Sequence, residues 1–168
     1  MRRTTLLLAV MMLALVLGSG VALAATIRCS GGDCRGTNAA DTLNGSAGRD
    51  IMYSFRGIDK LFGNNGNDDM SGGLDNDRLR GGNGSDEVDG NAGNDRIFGD
   101  SGVDKVYGGS GNDVLVGGTG VDQIYGGSEN DTINSEDGVA EIVDCGFGID
   151  TANVDAGVDN VSNCENVS

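Results

Sequence analysis

The sequence of 168 residues contains no histidine, no proline and no tryptophan, and it has only 3 Tyr and 4 Phe. Without histidine, the chain lacks the commonest general base, the usual partner of a serine or cysteine nucleophile, and the usual transition-metal ligand. Most hydrolytic chemistry and most zinc chemistry are therefore disfavoured. We expect no catalytic residues and no enzyme.

Basic residues are also scarce, because 11 Lys and Arg stand against 26 Asp and Glu and the formal net charge is −15. Nucleic acids and anionic membranes are bound through basic surfaces, so neither is expected as a partner. An acidic chain attracts cations instead. Large apolar residues are few beyond position 25 and 31 residues are Gly, so a thick hydrophobic core is not expected.

The segment 1–24 has the pattern of a secretory signal peptide. Arg2 and Arg3 precede an apolar run over 6–17, and the segment ends in Ala22, Leu23 and Ala24. We predict cleavage after Ala24 and a secreted, extracellular chain with no stable membrane insertion. The alternative is an uncleaved signal anchor, because the apolar stretch extended to residue 25 would be long enough to span a membrane.

Aspartate recurs in an unbroken nonapeptide period through the middle of the chain. The eleven positions are Asp41, Asp50, Asp59, Asp68, Asp77, Asp86, Asp95, Asp104, Asp113, Asp122 and Asp131. Two positions after each of them the residue is apolar: Leu43, Met52, Leu61, Met70, Leu79, Val88, Ile97, Val106, Leu115, Ile124 and Ile133. Five positions before each Asp there is Gly in ten of the eleven units, with Ser54 as the exception.

The most regular units read GGNGSDEVD over 81–89 and GGSGNDVLV over 108–116. Each consists of a glycine-rich turn that ends in Asp, followed by a short segment whose middle residue is apolar. That alternation predicts a strand of about three residues with one side chain facing inward. A helix is excluded because this density of glycine costs roughly 1 kcal/mol per position relative to alanine.

The pattern resembles the G-G-x-G-x-D-x-U-x nonapeptide of the RTX (repeats-in-toxin) family, where U is a large apolar residue. The resemblance implies an all-β fold, a right-handed parallel β-roll, or β-helix solenoid, with two nonapeptides per coil. It divides the chain into a signal peptide (1–24), an N-terminal cap (25–35), eleven nonapeptides (36–134) and degenerate repeats with a C-terminal cap (135–168). In this last part, after a one-residue slip at Ser135, Glu141, Asp150 and Asp159 continue the aspartate position.

A coil of two nonapeptides would place every second aspartate directly above the one before it, one strand spacing of ~4.8 Å away, in two stacks. Like charges at that separation repel by about 3 kcal/mol per pair at an effective dielectric constant near 20. A divalent cation between neighbours would reverse the sign of this interaction. Carboxylate and peptide oxygens in an irregular arrangement favour Ca²⁺ over Mg²⁺ or Zn²⁺.

The family resemblance implies the same ligands: aspartates two repeats apart share an ion with main-chain carbonyls of the glycine loops. The eleven aspartates would form up to nine such pairs. The glycines expected to contribute are Gly63, Gly66, Gly81, Gly82, Gly84, Gly99, Gly102, Gly108, Gly109, Gly111, Gly117, Gly118, Gly120 and Gly126.

The four cysteines of a small exported chain indicate two disulfides, and three pairings are possible. Cys29 and Cys34 precede the repeats, whereas Cys145 and Cys164 follow them. A rigid repeat region would hold the two groups much farther apart than the ~4.4–6.8 Å that a disulfide requires between Cα atoms. We therefore predict a Cys29–Cys34 bond and a Cys145–Cys164 bond, one at each end.

Taken together, these features predict a secreted calcium-binding protein whose roll folds when it binds a row of Ca²⁺ ions and which serves as a structural or surface module. The alternative is a calcium-dependent adhesin, or a glycan- or ice-binding module, that uses an outer face of the roll. Tyr107 and Tyr125, two repeats apart, would lie side by side on that face and are the best candidate patch for a glycan or cell-surface ligand. A regular row of Thr and Asn, which ice binding would favour, is absent from the turns.

Overall fold

The computed structural model describes residues 23–168, and these residues form strands and turns with no helix among them. Most of the expected signal peptide, positions 1–22, lies outside the described residues. In the part of the chain that is described, no helix has the length and apolar character needed to cross a membrane.

The strands alternate between two parallel sheets, so each coil contributes one strand to each sheet. The first sheet, in spatial order, contains β1 (Thr26–Arg28), β3 (Thr42–Asn44), β5 (Lys60–Asn65), β7 (Arg78–Asn83), β9 (Arg96–Ser101), β11 (Val114–Thr119), β13 (Thr132–Asn134), β15 (Thr151–Asn153) and β17 (Asn166–Val167). The second contains β2 (Gly32–Arg35), β4 (Asp50–Arg56), β6 (Asp69–Leu74), β8 (Glu87–Ala92), β10 (Lys105–Ser110), β12 (Gln123–Ser128), β14 (Ile142–Phe147) and β16 (Asn160–Ser162). This alternation confirms the predicted parallel β-roll.

The pairing register spans two nonapeptides through the repeats, as Leu61 opposite Leu79 and Val88 opposite Val106 show. It becomes one residue longer after β12 and β13, where Ile124 pairs with Val143 and Ile133 with Ala152. The extra residue lies in the turn between β13 and β14, which is where the sequence slips at Ser135.

Most strands are six residues long rather than the expected three. Pairing continues into the glycine-rich half of each unit: Arg80 lies opposite Phe98, and two positions later Gly82 lies opposite Asp100. The residue between them has no partner in this register, and the ladder resumes after it. The expectation of shorter strands was wrong because it counted only the residues whose side chains alternate and ignored main-chain hydrogen bonding within the turn.

The core is a single column of apolar side chains for each sheet, facing each other inside the roll. All eleven predicted apolar residues are at most 1 % exposed, and Val143 and Ala152 extend the column. One apolar side chain per strand is a thin core, so the turns at the corners of the roll contribute much of its interior.

Disulfides join residues at both ends in the predicted pairing. Cys29 is bonded to Cys34, with a Cα–Cα distance of 5.5 Å, and Cys145 to Cys164, with a Cα–Cα distance of 5.2 Å. The described residues contain no free cysteine.

Candidate metal centre

The eleven repeat aspartates lie in two ladders at the corners of the roll, each immediately before or at the start of a strand. Asp41, Asp59, Asp77, Asp95, Asp113 and Asp131 form one ladder, and Asp50, Asp68, Asp86, Asp104 and Asp122 form the other. None is more than 3 % exposed. The structure therefore brings together the residues that the nonapeptide spacing predicts to be neighbours.

Each ladder is connected by hydrogen bonds between the main chain and the carboxylates. The N–H of Asp77 donates to Oδ1 of Asp95 at 2.7 Å, and the N–H of Asp68 donates to Oδ1 of Asp86 at 2.8 Å. The same bond joins every repeat aspartate to the next one in its ladder. One oxygen of each carboxylate is thus held in place by the backbone.

The second oxygen, Oδ2, is buried and accepts no hydrogen bond in nine of the aspartates: Asp59, Asp68, Asp77, Asp86, Asp95, Asp104, Asp113, Asp122 and Asp131. Buried polar atoms in folded proteins are nearly always paired, and an isolated buried charge is far more costly than a neutral group. A row of unpaired carboxylate oxygens therefore fits a cation as its partner.

The first aspartate of each ladder differs from the other nine. Oδ2 of Asp41 accepts the N–H of Thr37, and Oδ2 of Asp50 accepts both the N–H and the hydroxyl of Ser46. These two carboxylates are satisfied by the protein, a distinction that the regular spacing does not reveal.

The glycine five positions before eight of these nine aspartates leaves space for the unpaired oxygens. A Cβ added to Gly126 would lie 2.6 Å from Oδ2 of Asp131, and one added to Gly99 would lie 2.7 Å from Oδ2 of Asp104. Main-chain carbonyls border the same space, since a Cβ on Gly81 would lie 2.6 Å from the carbonyl oxygen of Gly99. Both oxygen types that calcium prefers, carboxylate and carbonyl, therefore surround one small region of each turn.

Of the predicted glycine ligands, six occupy this first position and adjoin a carboxylate: Gly63, Gly81, Gly99, Gly108, Gly117 and Gly126. The others adjoin backbone of the preceding coil and have positive φ: Gly66, Gly82, Gly84, Gly102, Gly109, Gly111, Gly118 and Gly120. A side chain at the second group would meet main chain first, so these residues shape the turn, whereas the first group adjoins the unpaired oxygens.

Ser54 stands where the other turns of the repeat have their first glycine. Its side chain is fully buried, and its hydroxyl donates a hydrogen bond to the carbonyl oxygen of Gly72. In this turn a side chain therefore occupies part of the region that is open in the others and uses one of its carbonyl oxygens.

Burial raises the pKa of the nine ladder carboxyls whose Oδ2 is unpaired, because the charged form loses hydration. The pKa of Asp77, Asp104 and Asp131 is raised to about 7, and that of Asp59, Asp86, Asp95 and Asp113 to about 6. For Asp77, the hydrogen bond with the N–H of Asp59 opposes the rise in pKa, and the charges of Asp95 and Asp59 add to it. The fold thus disfavours ionised carboxylates in the absence of a compensating positive charge.

Carboxylates beyond the repeats extend the ladders. Asp150 receives the N–H of Asp131 on Oδ1 at 2.7 Å, and its Oδ2 is buried without a partner. Near the same end, carboxylate oxygens of Asp137, Glu141 and Asp155 lie within 4.8 Å of one another. Asp137 and Asp155 were not among the predicted ligands, although their spacing matches the length of one coil.

A family model described as the RTX calcium-binding nonapeptide repeat, with four copies, matches residues 35–70, 56–79, 71–106, 80–115 and 107–139. These matches together cover residues 35–139, well over half of the sequence. The chain belongs to the RTX calcium-binding nonapeptide repeat family. No curated protein matches the sequence when it is compared directly.

The RTX match and the turn geometry agree on the kind of metal. The atoms around each unpaired Oδ2 are carboxylate and carbonyl oxygens, which suit Ca²⁺, whereas Zn²⁺ prefers nitrogen and sulfur ligands. RTX repeats in a parallel β-roll indicate a calcium-binding structural module.

Proposed function

We propose that this chain is a secreted RTX module whose β-roll folds when Ca²⁺ ions bind along its two aspartate ladders. The observation that carries the proposal is the set of nine buried Oδ2 atoms without a hydrogen-bond partner. Each of the nine would be a ligand, together with carbonyl oxygens of the adjoining glycine turns. The pairs of consecutive aspartates within the ladders provide up to nine positions.

The ladders are unfavourable by themselves, which makes folding depend on the ions. In each ladder, Oδ1 of a carboxylate accepts a hydrogen bond from the main-chain N–H of the preceding aspartate. Every Oδ2 from Asp59 to Asp131 is unpaired. Ionised, these carboxylates repel one another in surroundings that exclude water. Bound Ca²⁺ supplies the positive charge that offsets this repulsion. Because the apolar column is only one side chain wide, we expect binding and folding to be a single process.

Several features support export to a calcium-rich compartment. Two disulfides are typical of proteins that mature in an oxidising environment. The expected signal peptide would direct the chain there. Extracellular oxygen-ligand sites commonly bind calcium at about 0.1–1 mM, so the roll would stay unfolded in the low-calcium cytosol and fold outside.

A calcium titration followed by far-UV circular dichroism and calorimetry tests the proposal. We expect little β-structure in excess EGTA and a cooperative gain of β-signal at millimolar calcium. Asp68→Asn removes an unpaired ladder oxygen, whereas Asp69→Asn, at the next position and partly exposed on the outside, removes the same charge. The first variant should need more calcium to fold and bind fewer ions, and the second should titrate like the unsubstituted protein. An equal β-signal with and without calcium would refute the proposal.

A glycan-binding surface is the second candidate function. The rings of Tyr107 and Tyr125 stack on one outer face, with centroids 5.1 Å apart and planes 9° apart, as their spacing of two repeats predicts. Stacked aromatic residues form a flat apolar surface against which a sugar ring could pack. If this face binds a glycan, Tyr107→Ala with Tyr125→Ala will abolish retention on a polysaccharide column without changing the calcium titration. Unchanged retention would leave the pair a purely structural role.

A further inference from the structure

We propose a separate cation site, formed by the carboxylates of Asp137, Glu141 and Asp155 at the C-terminal end of the roll. Their ligand oxygens lie within 4.8 Å of one another. The site goes beyond the proposed ladder function, because it uses three carboxylates and because Glu141 and Asp155 lie outside the region matched by the RTX repeat family.

The coil geometry brings the three residues together. Asp137 and Glu141 lie in the turn between β13 and β14, and Asp155 lies in the turn between β15 and β16. Strand β16 pairs with β14 in the register of the regular repeats, with Val143 opposite Val161, so these two turns stack directly on each other. Asp137 and Asp155 occupy equivalent positions in these two turns, one coil apart.

The surroundings of Glu141 indicate that this group of carboxylates binds a ligand. It is 2 % exposed, and neither of its carboxylate oxygens has a hydrogen-bond partner. The repeat aspartates leave one oxygen unpaired, whereas Glu141 leaves two. A buried carboxylate with no donor on either oxygen fits a cation as its partner. The protein has no basic side chain to offer from this end, since Lys105 is the last basic residue in the sequence.

Main-chain donors hold the other two carboxylates in place. Asp137 accepts the N–H of Gly120 at 2.9 Å and that of Val139 at 2.8 Å. Asp155 accepts the N–H of Asp137 at 2.9 Å and that of Gly138 at 2.6 Å on a single oxygen, Oδ2. The backbone therefore fixes both side chains beside Glu141 and leaves Oδ1 of Asp155 for a ligand.

The residue that continues the ladder beyond Glu141, Asp159, adds another negative charge beside it. Asp159 accepts the N–H of Glu141 on Oδ1 at 3.0 Å. Its Oδ2 accepts the hydroxyl of Ser135 at 3.0 Å and the N–H of Asp155 at 2.9 Å. Asp159 is thus satisfied within the protein, like the first aspartate of each ladder, and the unpaired oxygens here belong to Glu141.

The chemistry of the group defines the ligand as a hard divalent cation, Ca²⁺ in a calcium-rich medium. Three carboxylates bring more negative charge than a pair of ladder aspartates, and affinity in oxygen-ligand sites rises with the number of charged ligands. The site should therefore fill at lower calcium concentration than the repeat turns.

Native mass spectrometry of the full chain with Ca²⁺ measures the number of ions bound. Glu141→Gln and Asp155→Asn should each bind one ion fewer than the unsubstituted protein. Glu136→Gln is the matched control, because Glu136 is exposed in the same turn and carries the same charge. Unchanged ion numbers in both site variants would overturn the proposal, as would an equal loss in the control.

A crystal of the unsubstituted protein grown with calcium decides the question even if the variants do not fold. We expect an anomalous peak among the carboxylates of Asp137, Glu141 and Asp155. Filled repeat turns with no peak at this position would overturn the inference and leave the proposed function intact. A peak here with empty repeat turns would support the inference and refute the proposed function.

Discussion

The backbone N–H of Asp86 donates a hydrogen bond of 2.8 Å to Oδ1 of Asp104, and Oδ2 of Asp104 is buried without a partner. The two oxygens of the Asp104 carboxylate therefore have different roles. One oxygen joins consecutive coils of the folded roll. The other oxygen, Oδ2, has no hydrogen-bond donor from the protein. We expect folding to depend on an ion because that oxygen needs a positive partner.

The raised pKa values predict that acid stabilises the calcium-free roll. Burial raises the pKa of Asp59 to about 6 and that of Asp77 and Asp104 to about 7, from an ordinary value of 3.8. The folded state then binds more protons than the unfolded chain between these values, so the free energy of unfolding increases as pH falls from 7 towards 4. Circular dichroism in EGTA should show β-signal appearing on acidification over this range.

With calcium present the same titration should have the opposite effect. Protons compete with the ion for the carboxylates, so the calcium concentration needed for half-folding should rise as pH falls below 7. A β-signal in EGTA that declines steadily from pH 7 to pH 4 would contradict the assignment of the ladder as the pH-sensitive element.

Substitution of Gly99 by alanine should remove one ion position. Its Cβ would lie 2.7 Å from Oδ2 of Asp104 and close to the carbonyl oxygen of Gly117, so both oxygens would be displaced. Gly48→Ala is the control, because a Cβ at Gly48 has nothing within 4 Å. Calorimetry should show one ion fewer for Gly99→Ala and an unchanged number for Gly48→Ala. Equal ion numbers in the two variants would show that the first glycine does not adjoin the metal.

Replacement of Ser54 by glycine should have the reverse effect. The Ser54 hydroxyl donates a hydrogen bond to the carbonyl oxygen of Gly72. Without this side chain, the turn would have glycine at its first position, like the turns of the other ten repeats. We expect Ser54→Gly to bind one additional calcium ion, or to bind the same number at a lower midpoint concentration. In EGTA the variant should gain no stability, since glycine loses more backbone freedom on folding than serine. Weaker calcium binding than in the unsubstituted protein would contradict this prediction.

The start of the expected mature chain lies against the first ladder. The N–H of Ala25 donates to Oδ1 of Asp41 at 2.6 Å, and Asp41 is 2 % exposed. Cleavage after Ala24 would convert this amide into an α-ammonium group and the hydrogen bond into an ion pair. Charge-assisted hydrogen bonds contribute about 1.5–3 kcal/mol, compared with about 1 kcal/mol for neutral ones.

A chain beginning at Ala25 should therefore unfold at a temperature a few degrees above that of the same chain with an added N-terminal glycine, when both are measured in calcium. Asp41→Asn should reduce this difference. Equal midpoints for the two chains would show that the terminal charge does not reach Asp41, and mass spectrometry of the exported protein would locate the cleavage site.

The nonapeptide period predicted most of the roll because each position of the repeat has one structural role: an apolar side chain in the core, a carboxylate in a ladder, or glycine in a turn. Leu61 and Leu79 are buried opposite one another because an apolar side chain recurs with the coil length. The same regularity placed Asp77 next to Asp95. The disulfide pairing followed from the length of the repeats between the two pairs of cysteines.

The period did not predict how far main-chain pairing continues or which carboxylates are satisfied. Gly82 pairs with Asp100 although the alternation of apolar and polar side chains has ended there. The pairing depends on hydrogen bonds between main-chain groups and needs no apolar side chain. Asp50 and Asp68 occupy identical places in the nonapeptide, yet only Oδ2 of Asp68 is unpaired, since Ser46 reaches Asp50.

The one-dimensional pattern was sufficient for the β-roll, its apolar column and its two rows of aspartate, because in a solenoid a residue's neighbours are set by its distance along the chain. The group of Asp137, Glu141 and Asp155 required the folded coordinates. It forms where one inserted residue shifts a turn, and only the stacking of that turn on the next one brings carboxylates of different repeat positions together.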